Sequence, residues 1–252
     1  MPIWNLALDS AFLKYLNAGG CKNVFFRLYE WEPPAISLGY HQRVEDGVNL
    51  RECQRYGIPV VRRPTGGKTV FHHKELTYMI AAPLSVPPFG LSISEVYRAL
   101  TGALTRALIS LGIPVQGGGE KNETGPGAGT PSCFSSICMN EIVLDGRKLV
   151  GSAQIRKERA ILQHGSILLD RDLDLWRKLI PGEEFSADEG SISLRERGYE
   201  ITRKGLYQAI IAALSELTGL PCIKASPDRE ILEMAKTLMK DRERDTFWSP
   251  GP

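Results

Sequence analysis

A cysteine and a lysine form a pair whose residue types and spacing could do chemistry together. Cys133 follows a glycine-rich stretch, and Lys148 lies fifteen residues further along the chain. A thiol reacts as a nucleophile in its thiolate form, and a nearby ammonium group lowers the pKa of the thiol by favouring that charged form. If the fold brings the two side chains together, they form a nucleophile with its activator. The pair therefore predicts an enzyme that transfers acyl groups.

Each member of this pair also has an ordinary structural interpretation. A free cysteine commonly packs as a small buried hydrophobe, although Cys133 lies in a polar segment that is not typical of a core. Lys148 follows a turn, where a lysine is usually a solvated charge at the edge of a sheet. Strand alternation does not decide which face it occupies, because one neighbour, Arg147, is charged and the other, Leu149, is apolar.

A second group of candidate residues surrounds two consecutive glycines. Gly66-Gly67-Lys68-Thr69 resembles the end of a phosphate-binding loop, but Arg62 occupies the position of that motif's first glycine, so a P-loop is excluded. The glycine pair still permits close approach of the backbone to a ligand, with the charge of Arg63 nearby, and an ordinary tight turn is the alternative. The histidines His72 and His164 lie on or just after predicted strands, where a hydrogen-bonded structural role is commoner than that of a base.

The other cysteines indicate free thiols rather than disulfides or a metal site. The chain has five cysteines, an odd number for a chain large enough to fold without covalent staples. Cys133 and Cys138 lie five residues apart, but no second cysteine or histidine pair at zinc-ligand spacing accompanies them. We therefore expect no metal site.

Composition excludes several broad classes of function. Lys and Arg total 31 and Asp and Glu total 29, a balance that argues against a protein whose binding is dominated by nucleic-acid phosphates. No apolar run reaches the ~18 residues that a membrane span needs, and residues 1–20 lack the pattern of a signal peptide. We therefore expect a soluble, cytoplasmic protein that binds neither nucleic acid nor membrane.

Hydrophobic periodicity predicts helices interspersed with many short strands. Helices are expected over 3–17, 49–56, 93–111, 203–217 and 227–242, the third of them opened by a capping box of Ser92 and Glu95. Strands are expected over 24–29, 35–38, 58–61, 69–71, 76–81, 141–144, 148–154 and 161–169. The strands over 69–71 and 76–81 form a hairpin if their loop is tight, and Asp145-Gly146 is a strong hairpin turn. The glycine-rich residues 116–131 are expected to form a mobile loop, and the sequence does not determine whether this loop is a substrate lid.

These elements predict one α+β domain over residues 1–252, with a mixed, mainly antiparallel β-sheet core and flanking α-helices. Residues 226–252 are expected to be a C-terminal helix and tail, which leaves no room for a separate accessory domain.

Several motifs, in order along the chain, resemble those of the biotin/lipoate protein ligase family. The motifs are Arg62-Arg63-Pro64-Thr65-Gly66-Gly67, His72 with Glu75-Leu76-Thr77-Tyr78, Gly146-Arg147-Lys148 with Gly151-Ser152-Ala153-Gln154, and Gln163-His164-Gly165-Ser166. Cys133-Phe134 and the segment Ser152 to Arg156 are similar to the octanoyltransferase branch of that family found in Gram-positive bacteria. The resemblance covers about residues 3–220 and implies the family's catalytic-domain fold.

The resemblance also implies an activity and a set of site residues. The activity is transfer of octanoyl from acyl carrier protein to a lysine of a lipoyl domain, such as the glycine-cleavage H protein or a dehydrogenase E2 subunit. Cys133 corresponds to the family's active cysteine and Lys148 to the lysine that lowers its pKa. The residues expected to bind the substrate around an apolar acyl tunnel are Arg63, Gly66, Gly67, His72, Gly151, Ser152 and Ala153. No cofactor is implied.

Two other interpretations stay open. The first is an ATP-dependent lipoate-protein ligase that uses ATP and magnesium, with Lys148 at an acyl-adenylate site and no role for Cys133. The second is a scaffold that binds a carrier or a lipoyl domain without catalysis. The residues do not determine the length of the acyl chain, the acceptor protein or the oligomeric state.

Overall fold

The computed structural model describes residues 1–117, 141–181 and 190–242. Its helices are α1 (Pro2–Asn17), α2 (Leu50–Arg55), α3 (Ile93–Ser110), α4 (Leu173–Leu179), α5 (Arg203–Thr218) and α6 (Arg229–Arg242). Its strands are β1 (Phe25–Tyr29), β2 (Ala35–Leu38), β3 (Val60–Arg62), β4 (Val70–His72), β5 (Glu75–Pro83), β6 (Gln116–Gly117), β7 (Ile142–Leu144), β8 (Arg147–Arg156) and β9 (Ala160–Leu168). Two short 3-10 turns lie at Val44–Asp46 and Arg195–Arg197.

Six of these strands form one antiparallel sheet in the order β1-β5-β9-β8-β7-β6. The long strands β5 and β9 lie at its centre, and every residue of both is buried. Successive side chains of a strand point to opposite faces, so full burial means that both faces of the sheet are covered.

Pairs of helices cover the two faces. Met79 packs with Phe12 of α1 and Ile231 of α6 in one core cluster, whereas the next residue, Ile80, packs with Leu100 of α3 in a second and larger cluster. Helix α5 also contributes to the larger cluster. The molecule is therefore layered as helices, sheet and helices, and the predicted α+β fold with a mainly antiparallel sheet is confirmed.

A second sheet of three strands has the order β3-β2-β4. Strand β2 pairs with β3 in parallel and with β4 antiparallel, which makes the sheet content mixed, as expected. The predicted hairpin between 69–71 and 76–81 is wrong, because β5 already has β1 on one edge and β9 on the other. The chain turns at Lys74, which has a φ of 54°, and thereby passes from the small sheet to the large one.

Local signals at the ends of elements agree with the structure. Ser92 accepts a hydrogen bond from the backbone N–H of Glu95, whose carboxylate in turn accepts from the backbone N–H of Ser92, so the capping box at α3 is formed. Asp145 and Gly146 have φ values of 51° and 71°, as a two-residue turn between β7 and β8 requires. Helix α6 begins at Arg229 rather than directly after Ser226.

Candidate active site

A narrow pocket is lined by residues of both sheets and of α1. Five of the residues predicted to bind substrate contribute to its wall, namely Arg63, His72, Gly151, Ser152 and Ala153. The empty space between the wall atoms is about 410 Å³. The exposed surface of the wall is largely apolar. A slot of this shape and polarity suits an unbranched hydrocarbon chain.

The predicted glycine pair lies beside this slot. Gly66 lines a neighbouring cavity, here called the outer cavity, which is bounded by α1, by residues 62–66 and by the end of β8. Gly67 is not among the residues that line either cavity. Its carbonyl lies 1.8 Å from the point where a Cβ atom on Gly39 would be, so the end of β2 packs directly against the glycine pair. The substrate-binding role of both glycines stays a prediction.

Lys148 is buried, which contradicts its interpretation as a solvated edge charge. The residue is 2% exposed, and its ammonium group pairs with the carboxylate of Glu141, which precedes β7. Its backbone carbonyl accepts a hydrogen bond from Ile192. Lys148 is not among the residues that line the slot, although it lies three residues before Gly151 on the same strand. Burial of a lysine and a carboxylate is costly unless the two charges pair in a favourable geometry. The turn at Asp145-Gly146 brings Glu141 and Lys148 together as such a pair.

Cys133, the predicted nucleophile, lies outside the described residues. The same holds for residues 118–131 of the predicted glycine-rich loop, whereas Gln116 and Gly117 form strand β6. The pairing of Cys133 with Lys148 therefore stays a prediction. The three cysteines within the described ranges, Cys21, Cys53 and Cys222, are free thiols. Burial raises the pKa of the Cys53 thiol to about 12, which makes that side chain a poor nucleophile.

His72 is the centre of a buried hydrogen-bond network that joins the two sheets. Its Nε2 atom lies 2.8 Å from the hydroxyl of Ser37 on β2, and its Nδ1 atom lies 2.7 Å from the carboxylate of Glu75 on β5. The hydroxyls of Thr77 and Ser166 donate to the same carboxylate oxygen, at 2.6 and 2.8 Å. Glu75 was named in a motif without a predicted role, although its position three residues after a histidine was a usable signal.

A second buried network, centred on Asp9, was also missed. Asp9 is fully buried in α1, where it pairs with Arg27 and accepts a hydrogen bond of 2.7 Å from Tyr29. His164 lies 3.5 Å from the Asp9 carboxylate through Nδ1 and 2.7 Å from the hydroxyl of Thr65 through Nε2. Asp9 thus supports, through His164, the loop that carries Arg63 and the glycine pair. The partners of Asp9 are distant in the sequence, so no motif around this aspartate predicts them.

Burial sets the protonation states in this second network. Burial is the largest cause that lowers the pKa of His164, and the charge of Asp9 opposes it. Burial, followed by the charge of Asp9, raises the pKa of Tyr29 well above its usual range. Both side chains are therefore neutral hydrogen-bonding groups near neutral pH, and the negative charge of Asp9 is balanced by Arg27.

Arg63 is held in place on several sides. Its guanidinium donates to the carbonyl and the hydroxyl of Ser37, both at 3.1 Å. It also donates to the carbonyls of Gly66 at 2.8 Å and Lys68 at 2.6 Å. A guanidinium with its donors directed at fixed acceptors is a rigid group, so Arg63 forms an immobile part of the slot wall.

Neither a metal cluster nor a membrane-spanning helix occurs within the described ranges. Those residues contain no group of three or more His, Cys, Asp or Glu side chains placed to hold a metal ion. The helices of the described ranges include none with both the length and the apolar character of a transmembrane span.

The comparison with known families gives the identity of the fold. Residues 1–215 match the model of the lipoyl protein ligase A/B catalytic domain. The chain belongs to this family. That it forms a single catalytic domain over all of 1–252 stays a prediction.

Relatives within the lipoyl protein ligase A/B family carry a more specific name. The chain is 34% identical over 248 residues to the octanoyltransferase LipM of Kyrpidia tusciae, covering 94% of this chain and 90% of that one. It is 37% identical over 200 residues to octanoyltransferase LipM of Lysinibacillus sphaericus, covering 78% and 71% of the two chains. It is 40% identical over 179 residues to octanoyltransferase LipM of Geobacillus kaustophilus, covering 69% and 64%.

Solved structures share the fold at lower sequence identity. A lipoate-protein ligase A bound with ATP superposes with a TM-score of 0.79 at 22% identity, covering 95% of this chain and 90% of that one. A putative lipoate protein ligase from T. acidophilum with bound lipoic acid gives a TM-score of 0.78 at 20% identity, covering 96% and 91%. These similarities concern the fold alone.

Proposed function

We propose that this protein is an octanoyltransferase of lipoate cofactor biosynthesis. The observation that carries the proposal is its similarity, over most of its length, to family members named as octanoyltransferases. The names of these relatives confirm the predicted acyltransferase activity. The proposed donor is octanoyl-acyl carrier protein, and the proposed acceptor is a lysine of a lipoyl domain, such as that of the glycine-cleavage H protein or a dehydrogenase E2 subunit.

The slot supports this proposal as the seat of the octanoyl chain. Its wall includes backbone of Gly151 and Gly165 and apolar side chains such as Val70 and Leu6. Hydrocarbon placed against this surface leaves water, which contributes about 0.8 kcal/mol per methylene group. Because Lys148 lies three residues before Gly151, at about 3.3 Å per residue, the acyl carbonyl would lie toward the Lys148 end of β8 and the hydrocarbon tail toward Ala153.

The proposed first half-reaction forms a thioester on the enzyme. The thiolate of Cys133 attacks the carbonyl carbon of the octanoyl thioester, a new carbon–sulfur bond forms, and the bond to the carrier sulfur breaks. The carrier leaves as a thiolate and takes up a proton, for which the ammonium group of Lys148 is the proposed source, so Lys148 becomes a neutral amine. The positive charge of Lys148 would favour the thiolate form of Cys133 and so increase the fraction of reactive nucleophile.

The proposed second half-reaction forms the amide. The neutral amine of the acceptor lysine attacks the carbonyl carbon of the acyl-enzyme, and Cys133 leaves as a thiolate. The attacking nitrogen loses one proton to the neutral amine of Lys148, which restores the ammonium group beside the Cys133 thiolate. Bonds and charges balance in both steps without a metal ion, a nucleotide or a redox cofactor, and none is proposed.

A transfer assay without nucleotide tests this function. Purified enzyme, octanoyl-acyl carrier protein and a lipoyl domain are incubated with a chelator and no ATP, and the mass of the lipoyl domain is measured. We expect octanoylation of the domain under these conditions. Octanoylation from free octanoate, or lipoylation from free lipoate, that requires ATP and magnesium and is not seen with octanoyl-acyl carrier protein would identify a ligase instead. Absence of transfer in both assays would leave a binding protein without this catalysis.

A further inference from the structure

Lys148 lies at the point where strand β8 exchanges one neighbour for another. From Val150 onward the strand pairs with β9, whereas at Lys148 it forms a parallel bridge with Ser191. The N–H of Ile192 donates to the carbonyl of Lys148 at 3.0 Å. On its other side Lys148 pairs with Val143 of β7. The backbone of Lys148 is therefore held from two sides, and one of them lies outside the named strands of the sheet.

That second side is formed by residues 191–196, here called the crossing segment because it passes both the start of β8 and the end of β9. At the end of β9 the N–H of Leu194 donates to the carbonyl of Leu168 at 3.0 Å. The four residues from Ser191 to Leu194 are at most 1% exposed. Ser191 and Ser193 therefore place hydroxyl groups in a buried setting, where each needs a hydrogen-bond partner.

Arg171 is the partner of one of these hydroxyls and is linked to the other through Glu196. Its guanidinium donates through Nη1 to the hydroxyl of Ser191 at 2.8 Å, and through Nε and Nη2 to the two oxygens of the Glu196 carboxylate. The hydroxyl and the N–H of Ser193 donate to the same carboxylate, at 2.6 and 2.8 Å. Because the N–H groups of a guanidinium point in directions fixed by its planar shape, one side chain fixes the crossing segment at two points.

The Arg171–Glu196 contact joins two charged groups. The side chain of Arg171 is 3% exposed and that of Glu196 is 34% exposed. Burial alone would raise the pKa of Glu196, but the hydrogen bonds from Arg171 and Ser193, together with the charge of Arg171, lower it to about 2. The carboxylate is therefore ionised near neutral pH. A forked hydrogen-bonded ion pair of this kind is stronger and more directional than a contact between neutral groups.

We propose that Arg171 is a positioning residue for the acyl transfer, because it holds the crossing segment against Lys148. This inference rests on the proposed octanoyl transfer and adds a residue, outside the slot, that determines where the Lys148 ammonium group lies. Arg171 acts through Ser191 and the backbone of Lys148 rather than on the substrate. A proton carrier must lie within hydrogen-bond reach of the atoms it serves, and a displacement of about 1 Å can lower a rate about 100-fold.

A mutant cycle between Arg171 and Lys148 tests the proposal. Transfer from octanoyl-acyl carrier protein to a lipoyl domain is measured for Arg171→Met, Lys148→Met and the double variant, and KM is determined for the carrier. Arg171→Met should lower kcat about tenfold and change KM less than about twofold, because it affects the chemical step rather than binding. In the Lys148→Met background the same substitution should lower the residual rate less than about twofold, because its effect passes through Lys148.

Two further variants separate positioning from general stability. Ser191→Ala removes the hydroxyl through which Arg171 reaches the crossing segment. It should lower kcat about three- to tenfold and should add little to the loss in Arg171→Met. Arg195→Met is the matched control, because it lies in the same segment and breaks an ion pair with Asp170 while its own side chain is 76% exposed. It should leave kcat within about twofold of the wild type. Melting curves give the folded fraction to which every rate is referred.

Three results would overturn the proposal. The first is an equal loss from Arg171→Met with and without Lys148, the second is a change confined to KM, and the third is the same loss of kcat in Arg195→Met. If Arg171→Met does not fold, Ser191→Ala and Arg171→Lys, which keeps the charge but loses the fork, replace it; an unchanged kcat in both would then be the contrary result. A wild type without any transfer would contradict the proposed function instead.

Discussion

Lys148 and Glu141 form a buried ion pair at the start of the strand that lines the slot. They are 2% and 9% exposed. Removal of one partner leaves a buried charge without its counter-charge, which costs about 3–5 kcal/mol, whereas removal of both is often nearly neutral. The contribution of the ion pair to stability can therefore be measured separately from the contribution of Lys148 to catalysis.

A double-mutant cycle checks this separation. Glu141→Gln and Lys148→Met should each lower the free energy of unfolding by about 3 kcal/mol, and the double variant should recover most of that loss. Activity should fall about 100-fold or more in both variants that lack Lys148. Urea denaturation and transfer rates are the measurements, with Lys157→Met at the exposed end of β8 as the control. Full activity in the double variant would show that Lys148 has no catalytic role.

His164 gives the fold a defined dependence on pH. Its pKa is lowered chiefly by burial, and the charges of Arg63 and His72 lower it further, while Asp9 opposes them. As pH falls below about 6.5 the unfolded chain binds a proton at this position before the folded chain does. Stability is thus fully present above the unfolded value and is lost as pH falls toward the lower folded value.

Thermal or urea unfolding between pH 7.5 and 5.5 measures this effect. The wild type should lose stability with a contribution from His164 of at most about 1.4 kcal/mol per pH unit. His164→Gln should be less stable at pH 7.5 but should show a shallower loss on acidification. Parallel stability curves for the two proteins would contradict the assignment of a neutral, buried His164. His73, whose pKa burial also lowers, is present in both proteins and cancels in the comparison.

At the scale of elements, the end of β2 and the glycine pair are packed backbone to backbone. A Cβ atom on Gly39 would meet the Gly67 carbonyl at 1.8 Å, closer than any side-chain rearrangement can relieve. Gly39→Ala should therefore displace the segment that carries Arg63, with a loss of activity of at least tenfold and of stability of about 1–3 kcal/mol.

Gly102→Ala is the matched control for this contact. Its Cβ would meet only the end of the Arg106 side chain at 3.6 Å inside helix α3. Because alanine favours a helix interior over glycine, this variant should gain about 0.5–1 kcal/mol. Transfer rates and melting curves for Gly39→Ala and Gly102→Ala are the measurements that compare the two sites. Equal behaviour would show that the close approach at Gly39 has no functional consequence.

Elements with strong local signals were predictable from the sequence, whereas their partners were not. The capping box at Ser92 and the turn at Asp145-Gly146 are specified by residues a few positions apart. The hairpin expected between β4 and β5 failed because pairing is decided by the free edges of distant strands. The burial of Lys148 was undetermined for a similar reason, since Glu141 stands across a turn and strand alternation gave no face. The motif residues Arg63, His72 and Glu75 were identified, but the supporting role of Glu75 was not predicted and Asp9 was not identified.

At the scale of the whole molecule, helix α6 stabilises the layer that holds Asp9. Ile231 of α6 is fully buried in the cluster formed with α1, whereas Ile223, in the segment before this helix, is 82% exposed. Ile231→Ala should lower the free energy of unfolding by about 2–4 kcal/mol through lost burial and the cavity it leaves. Ile223→Ala should change it by less than about 0.5 kcal/mol.

Denaturation curves and transfer rates at 20–25 °C are the measurements for this pair of variants. Both proteins should retain most of the transfer activity, because neither side chain lines the slot. A loss of activity in Ile231→Ala without a loss of stability would contradict a purely supporting role for α6.

The proposed mechanism requires that the acyl group is bound to Cys133 between the two half-reactions. Intact-mass analysis of the enzyme after incubation with octanoyl-acyl carrier protein, in the absence of acceptor, measures this intermediate. We expect one octanoyl adduct on the wild type and on Cys222→Ala, which removes an exposed free thiol. We expect no adduct on Cys133→Ala. An adduct that persists in Cys133→Ala, or a wild type that transfers octanoyl without ever carrying it, would rule out Cys133 as the acyl carrier.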